Sequence, residues 1–178
     1  MSIYNTYIQQ IHYDGSAYTK GAIKDLLGDF KIACQEFPFK KSPQVKDIPS
    51  NDWFDEDGLD VYIPHRVPLK HYDIEATFLY KGTDSDIRTD LMAFVDFLRG
   101  MNAGAVGSTL AIYNEYVGFG RKDVVVSEIG STLFYTSGDV IDALAQFKVK
   151  FTVYDPVTDV TLSKTTTNGV TAVTGLNW

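Results

Sequence analysis

The sequence predicts an α+β, β-rich domain: an antiparallel β-sandwich or half-barrel with one flanking α-helix. Three observations point there. Two segments of about ten residues alternate strictly between apolar and polar side chains, and a third carries a single helical stripe. These elements follow one another as strand, helix, strand, strand, strand, an order that suits a helix laid on an antiparallel sheet better than a doubly wound fold.

The first alternating segment is HYDIEATFLYK. It places Tyr72, Ile74, Ala76, Phe78 and Tyr80 on one face and His71, Asp73, Glu75 and Thr77 on the other. The second, AQFKVKFTVYD, sets Ala145, Phe147, Val149, Phe151 and Val153 against Gln146, Lys148, Lys150 and Thr152. A period of two is what a strand with one wet face produces. If the two strands are neighbours, Glu75 and Lys148 pair across them, for roughly a few tenths of a kcal/mol.

The helix is read from DSDIRTDLMAFVDFLRG. Ile87, Leu91, Phe94, Val95 and Leu98 form one stripe, Asp84 or Ser85 caps the start, and Gly100 suits the end. Leu91, Phe94 and Leu98 are expected to be buried against the sheet. A shorter helix is expected around KGAIKDLLGD, stopped by Gly28. TLAIYNEYVG and KDVVVSEI read as paired strands separated by the turn GFGRK, followed by a short strand, TLFYT. Asp155-Pro156 turns the chain into a last strand, VTLSK, and the N-terminal IYNTYIQQIHYDG reads as strand as well.

At 178 residues the chain is read as a single domain spanning 1–178, with a long loop at 37–66 and a C-terminal arm at 164–178. The loop has no sustained period and holds Pro38, Pro43, Pro49 and Pro64. Stretches of that length are usually functional or mobile in compact domains. The arm is small and polar up to Trp178, and is expected to order against a neighbour.

A hydrophobic fraction of 44% supports a real core. With 16 basic against 23 acidic residues the net charge is −7, which argues against nucleic-acid binding, since phosphate contacts need clustered Lys and Arg. The single cysteine, Cys34, cannot form an internal disulfide and is read as a small buried hydrophobe. The N-terminal MSIYNTYIQQ has neither the basic start nor the apolar run of a signal peptide, and no segment has the apolar length of a membrane helix. The expectation is therefore no membrane partner and no exit by the ordinary secretory route.

No chemistry-bearing motif emerges. His12, His65 and His71 lack helical zinc spacing, and His71 falls on a polar strand face. The acidic DWFDEDGLD fails as an EF-hand: with Asp55 at position one, Gly58 falls at four and Arg66 at twelve. Asp73 and Glu75 are explained by a wet strand face instead of a glycosidase pair. Gly100, Gly104 and Gly107 follow a helix instead of opening one, so they do not cradle phosphate. No metal, no cofactor and no enzymatic activity are expected.

The succession of pieces carries a resemblance. YDGSAYTKGAIKDLLGDFKI is followed by a loop ending VKDIPSNDWFDEDGLDV, then VPLKHYDIEATFLYKG and a helix finishing FVDFLRG. The paired strands STLAIYNEYVG and DVVVSEI and the closing DALAQFKVKFTVYD complete it. This resembles the ring-forming N-terminal domain of bacteriophage distal tail proteins, and the related tail-tube fold, over roughly Tyr13 to Asp155. The loop IPSNDWFDEDG is longer and more acidic than that family's pattern, and the large C-terminal domain many distal tail proteins carry has no counterpart in these 178 residues.

The resemblance implies a non-enzymatic ring subunit, usually hexameric, of a phage or prophage tail: distal tail or baseplate, tube, or terminator. It also implies stacking on other tail proteins through loops and arms, and a place in the virion after assembly in a bacterial host cytoplasm. The alternative is a monomeric β-sandwich binding module, for instance for surface glycan. On the ring reading, Trp53, Phe54, Asp55, Glu56 and Asp57, together with Trp178, are candidate interface residues. Exposed loop aromatics are typical anchors, and an acidic surround steers toward a basic partner. The competing reading has Trp53 and Phe54 folding back to cap their own core.

Overall fold

A computed structural model describes residues 4–38, 43–55, 57–83, 85–135, 142–167 and 170–178. Among the described residues the chain order is β1 (Thr6–Tyr13), β2 (Tyr18–Asp25), α1 (Leu26–Phe30), β3 (Ile32–Glu36), β4 (Ser50–Asn51), β5 (Asp60–Val61), β6 (Tyr72–Thr83), α2 (Ile87–Arg99), β7 (Thr109–Asn114), β8 (Phe119–Ile129), β9 (Leu133–Tyr135), β10 (Asp142–Val153), β11 (Thr161–Thr167) and β12 (Val170–Asn177). The fold is thus β-rich α+β, as the alternation and the single long stripe require.

The main sheet runs β2-β1-β7-β8-β10-β6-β3, with β9 also paired to β10, and every pairing is antiparallel. Its two outermost strands, β2 and β3, are consecutive in the chain. Laid flat, six inter-strand gaps would separate them by roughly 29 Å, whereas the five residues of α1 rise only about 7.5 Å. The sheet must therefore curl into a half-barrel with α1 across the seam. Accordingly, Cys34, Gln35 and Glu36 of β3 line one groove with Tyr4, just before β1, and Asn114 of β7.

The two alternating segments lie side by side as β6 and β10, with Phe147 opposite Phe78 and Val149 opposite Ala76. All ten apolar residues named for them are buried. Lys148 Nζ reaches Glu75 at 2.7 Å and Lys150 Nζ reaches Asp73 at 3.0 Å, both as exposed diagonal pairs. Thr77 departs from the pattern: it lies on the polar parity yet is buried, because β3 lies alongside and Glu36 accepts its hydroxyl at 3.1 Å.

Inside the half-barrel, Phe78 meets Phe94, Phe147 and Phe151, and Phe30 of α1 meets Phe94 and Phe97 of α2. Phe94, Phe97 and Leu98 are the buried residues of α2, while Leu91 is only half-buried. The inward face is therefore rotated from the predicted stripe toward Phe97, drawn there by the second layer that Phe30 supplies. The cap residue is Asp86, not Ser85. Its carboxylate accepts from Thr83 and Ser85 instead of from a helix N–H. Asp84 lies outside the described residues. Gly100 ends the helix at φ 69°, and a Cβ there would stand 2.7 Å from the Gly107 carbonyl oxygen, so the stop needs glycine.

Three further expectations are corrected. KGAIKDLLGD is mostly strand: Tyr18–Asp25 pairs with β1, and the helix is a single turn that passes through Gly28 and stops at Lys31 in the left-handed conformation. The turn before β8 is Glu115–Gly118, so Phe119 to Lys122 are already strand. The segment 164–178 is not a free arm but most of a β-hairpin, β11–β12. Its base covers the outer face of the half-barrel, where Val160 and Leu176 bury against Tyr7, Ile11 and Ala111.

That hairpin explains why β1 is buried without a break from Thr6 to Ile11. Ile8 faces the half-barrel interior; Tyr7 and Ile11 face the hairpin. Two buried glutamines of β1 tie it to its surroundings. Gln9 donates to the Gly21 carbonyl at 2.7 Å and accepts from the Leu176 N–H at 3.2 Å. Gln10 donates to the Phe97 carbonyl at 2.6 Å and to Asn102 Oδ1 at 2.7 Å. No helix among the described residues is long and apolar enough to cross a membrane.

Candidate interaction surface

The long loop has structure of its own. Val45 bridges Leu69, the Lys46 N–H donates to the Pro68 carbonyl, and the Lys70 N–H donates to the Gln44 carbonyl. Further out, Ser50 pairs Val61 and Asn51 pairs Asp60, while the Tyr62 N–H donates to Pro49. These rungs make a narrow two-stranded arm. The prolines explain why the ladder is intermittent, since each removes a donor. Gly58, at φ 103°, turns the chain at the far end.

Trp53 and Phe54 sit at that end. Phe54 is fully exposed and Trp53 is 51% exposed. Neither contributes to the buried core clusters. Asp52, Asp55, Asp57 and Asp60 surround them, exposed and without an ion pair among the described residues; Glu56 lies outside those residues. Tyr62 and Ile63 are exposed on the return strand. From the Val45 rung to Phe54 is nine residues, roughly 30 Å of extended chain.

The base of the arm has the opposite character. A groove of about 510 Å³ runs between the arm and the turn after β10, lined by Lys46, Arg66, Val67, Tyr154 and Val157 among others. Lys46 and Arg66 are exposed and unpaired among the described residues. The groove's one carboxylate, Asp155, is already committed. Burial pushes its carboxyl up, but hydrogen bonds from Thr158 and the Val157 N–H, with Lys122 at 3.5 Å, outweigh this and hold it below its ordinary value.

Trp178 belongs elsewhere. It is half-buried at the end of β12, with the Lys20 ammonium 3.6 Å from its ring centre and Tyr18 edge-on at 5.5 Å. It clasps the hairpin to β2 and makes none of these contacts with the arm. A surface the sequence did not single out lies on β9. Leu133, Phe134 and Tyr135 are all exposed on a strand that, among the described residues, pairs with β10 alone. TLFYT is legible as a strand, but edge position is a property of the sheet.

His12, His65 and His71 are exposed and separate, and no group of His, Cys, Asp and Glu able to hold a metal occurs among the described residues. Cys34 is half-buried rather than fully buried, and burial pushes its thiol up to about 11, so it stays protonated near neutrality. No protein-family model matches the chain, and no curated protein is significantly similar to it.

Proposed function

We propose that this chain is a non-enzymatic ring subunit of a phage or prophage tail, carried in the virion and stacking on neighbouring tail proteins. One observation carries the reading: two separate apolar surfaces are left uncovered, the Trp53–Phe54 arm and the β9 edge with Leu133, Phe134 and Tyr135. An open strand edge bearing large hydrophobics is an aggregation hazard unless a neighbour covers it. A chain with two different sticky surfaces suits head-to-tail association, which closes as a ring when the rotation allows. The net charge of −7, repeated around such a ring, gives a channel that repels DNA instead of retaining it.

A glycan-binding module has less support. In the polar groove lined by Gln35, Ser131 and Gln146, the Gln146 amide already donates to Gln35 Oε1 and accepts from Tyr135, and the one lining aromatic, Phe147, is buried. The test is sedimentation and negative-stain imaging across a wide concentration range. Closed rings of uniform size are expected; a chain that stays monomeric at the highest concentration sinks the ring reading and favours the module.

A further inference from the structure

Resting on the ring-subunit reading, the structure points to a specific receptor for the arm. We propose that the Trp53–Phe54 tip of one copy seats in the Lys46–Arg66 groove of a second copy of this chain. Tip and groove are complementary in both respects that matter at an interface. The tip offers a fully exposed phenyl ring and a half-exposed indole; the groove, about 510 Å³, has Val67, Tyr154 and Val157 as exposed apolar walls and room for such a side chain. Among the described residues, the tip's Asp52, Asp55 and Asp57 are without an ion pair, and so are Lys46 and Arg66 on the groove. Opposite fields of this kind steer encounter and fix register.

The tip cannot fill its own groove. The Val45–Leu69 rung and the Ser50–Val61 rung hold the arm extended, and Leu69 itself lines the groove, so groove and tip lie at opposite ends of one laddered element. An acidic aromatic tip and a basic apolar groove on one chain that cannot meet internally make a heterologous contact between copies. The β9 edge is not part of this contact and remains available for the other neighbour.

Charge reversal tests the pairing on the full chain. One variant carries Asp52→Lys, Asp55→Lys and Asp57→Lys; the other carries Lys46→Glu and Arg66→Glu. All five side chains are exposed, so both variants are expected to keep the parent's circular dichroism and melting temperature. In sedimentation velocity each variant alone should lose self-association by about tenfold or more. An equimolar mixture should recover it, because each reversed tip then meets a reversed groove and each native tip a native groove. If the groove variant associates like the parent while the tip variant does not, the tip docks elsewhere: this proposal falls and the ring reading stands. Failure of the mixture to recover association also overturns it. A parent that is monomeric throughout removes both.

Discussion

Replacing Trp53 and Phe54 together by Ala separates an anchor from a core residue, because the two roles differ in where the cost appears. Phe54 is fully exposed, so its loss should change unfolding by no more than about 0.5 kcal/mol. Trp53 is 51% exposed; its covered half is roughly 100 Å², an upper bound of about 2.5 kcal/mol at 25 cal/mol per Å². For a domain of this size about 1 kcal/mol moves the melting temperature by roughly 2–4 °C, so the double variant should melt at most about 12 °C lower. Phe94→Ala is the control: Phe94 has no exposed surface, and its loss should cost about 3–5 kcal/mol. Association should respond the other way. Two aromatic anchors at about 2 kcal/mol each would weaken assembly by a factor on the order of 10³, while Phe94→Ala does so only through unfolding. Thermal unfolding by circular dichroism and concentration-dependent sedimentation of all three chains decide the matter. A double variant that melts as low as Phe94→Ala, or one that assembles at the parent's concentration, refutes the anchor argument.

On α2, Leu98→Ala should cost about 2–5 kcal/mol and half-buried Leu91→Ala distinctly less; equal losses in urea unfolding would mean the buried face is misplaced. Acid should loosen the C-terminal hairpin. The Lys164 ammonium, 2.8 Å away, holds the Glu115 carboxyl below its ordinary value. A depressed carboxyl pKa contributes stability that is full above the unfolded value of about 4.3 and is lost as pH falls through the lower folded value. Glu115→Gln should therefore flatten the stability-versus-pH curve below about pH 4.5 and leave its neutral limb unchanged in slope; an unaltered acid limb would show that the pair contributes nothing. Duplex DNA should not bind measurably at about 0.15 M salt, given the net charge of −7; a salt-dependent shift in fluorescence anisotropy would contradict the channel argument.

What the sequence determined by itself is the set of elements whose two faces differ in polarity. In β6 and β10 all ten apolar residues that the alternation names are buried, because one face of each strand meets the half-barrel interior and the other, Thr77 apart, is turned outward. Gly100 marks the end of α2 because only glycine can take that φ with the Gly107 carbonyl so near. The aromatic, acidic tip was legible for a related reason: Trp53 and Phe54 lie in a stretch with no period to place them in a core.

The tertiary structure alone decided what depends on contacts distant in sequence. β1 contains Thr6, Gln9 and Gln10 yet is covered on both faces, because α2, the turn after it and the C-terminal hairpin supply partners for the two glutamine amides from residues 97, 102 and 176. TTTNGVTAVTGLNW reads as a polar tail, but Leu176 and Trp178 fasten it to β1 and β2, and no local pattern announces a docking site built from the other end of the chain. The basic groove is of the same kind. Lys46, Arg66, Tyr154 and Val157 are scattered through the sequence, and they meet because the antiparallel arm returns its two strands to the turn after β10. The curl of the sheet was decided last of all, by a short helix linking its two outer strands: the chain between them is too short to span a flat sheet, so the sheet bends.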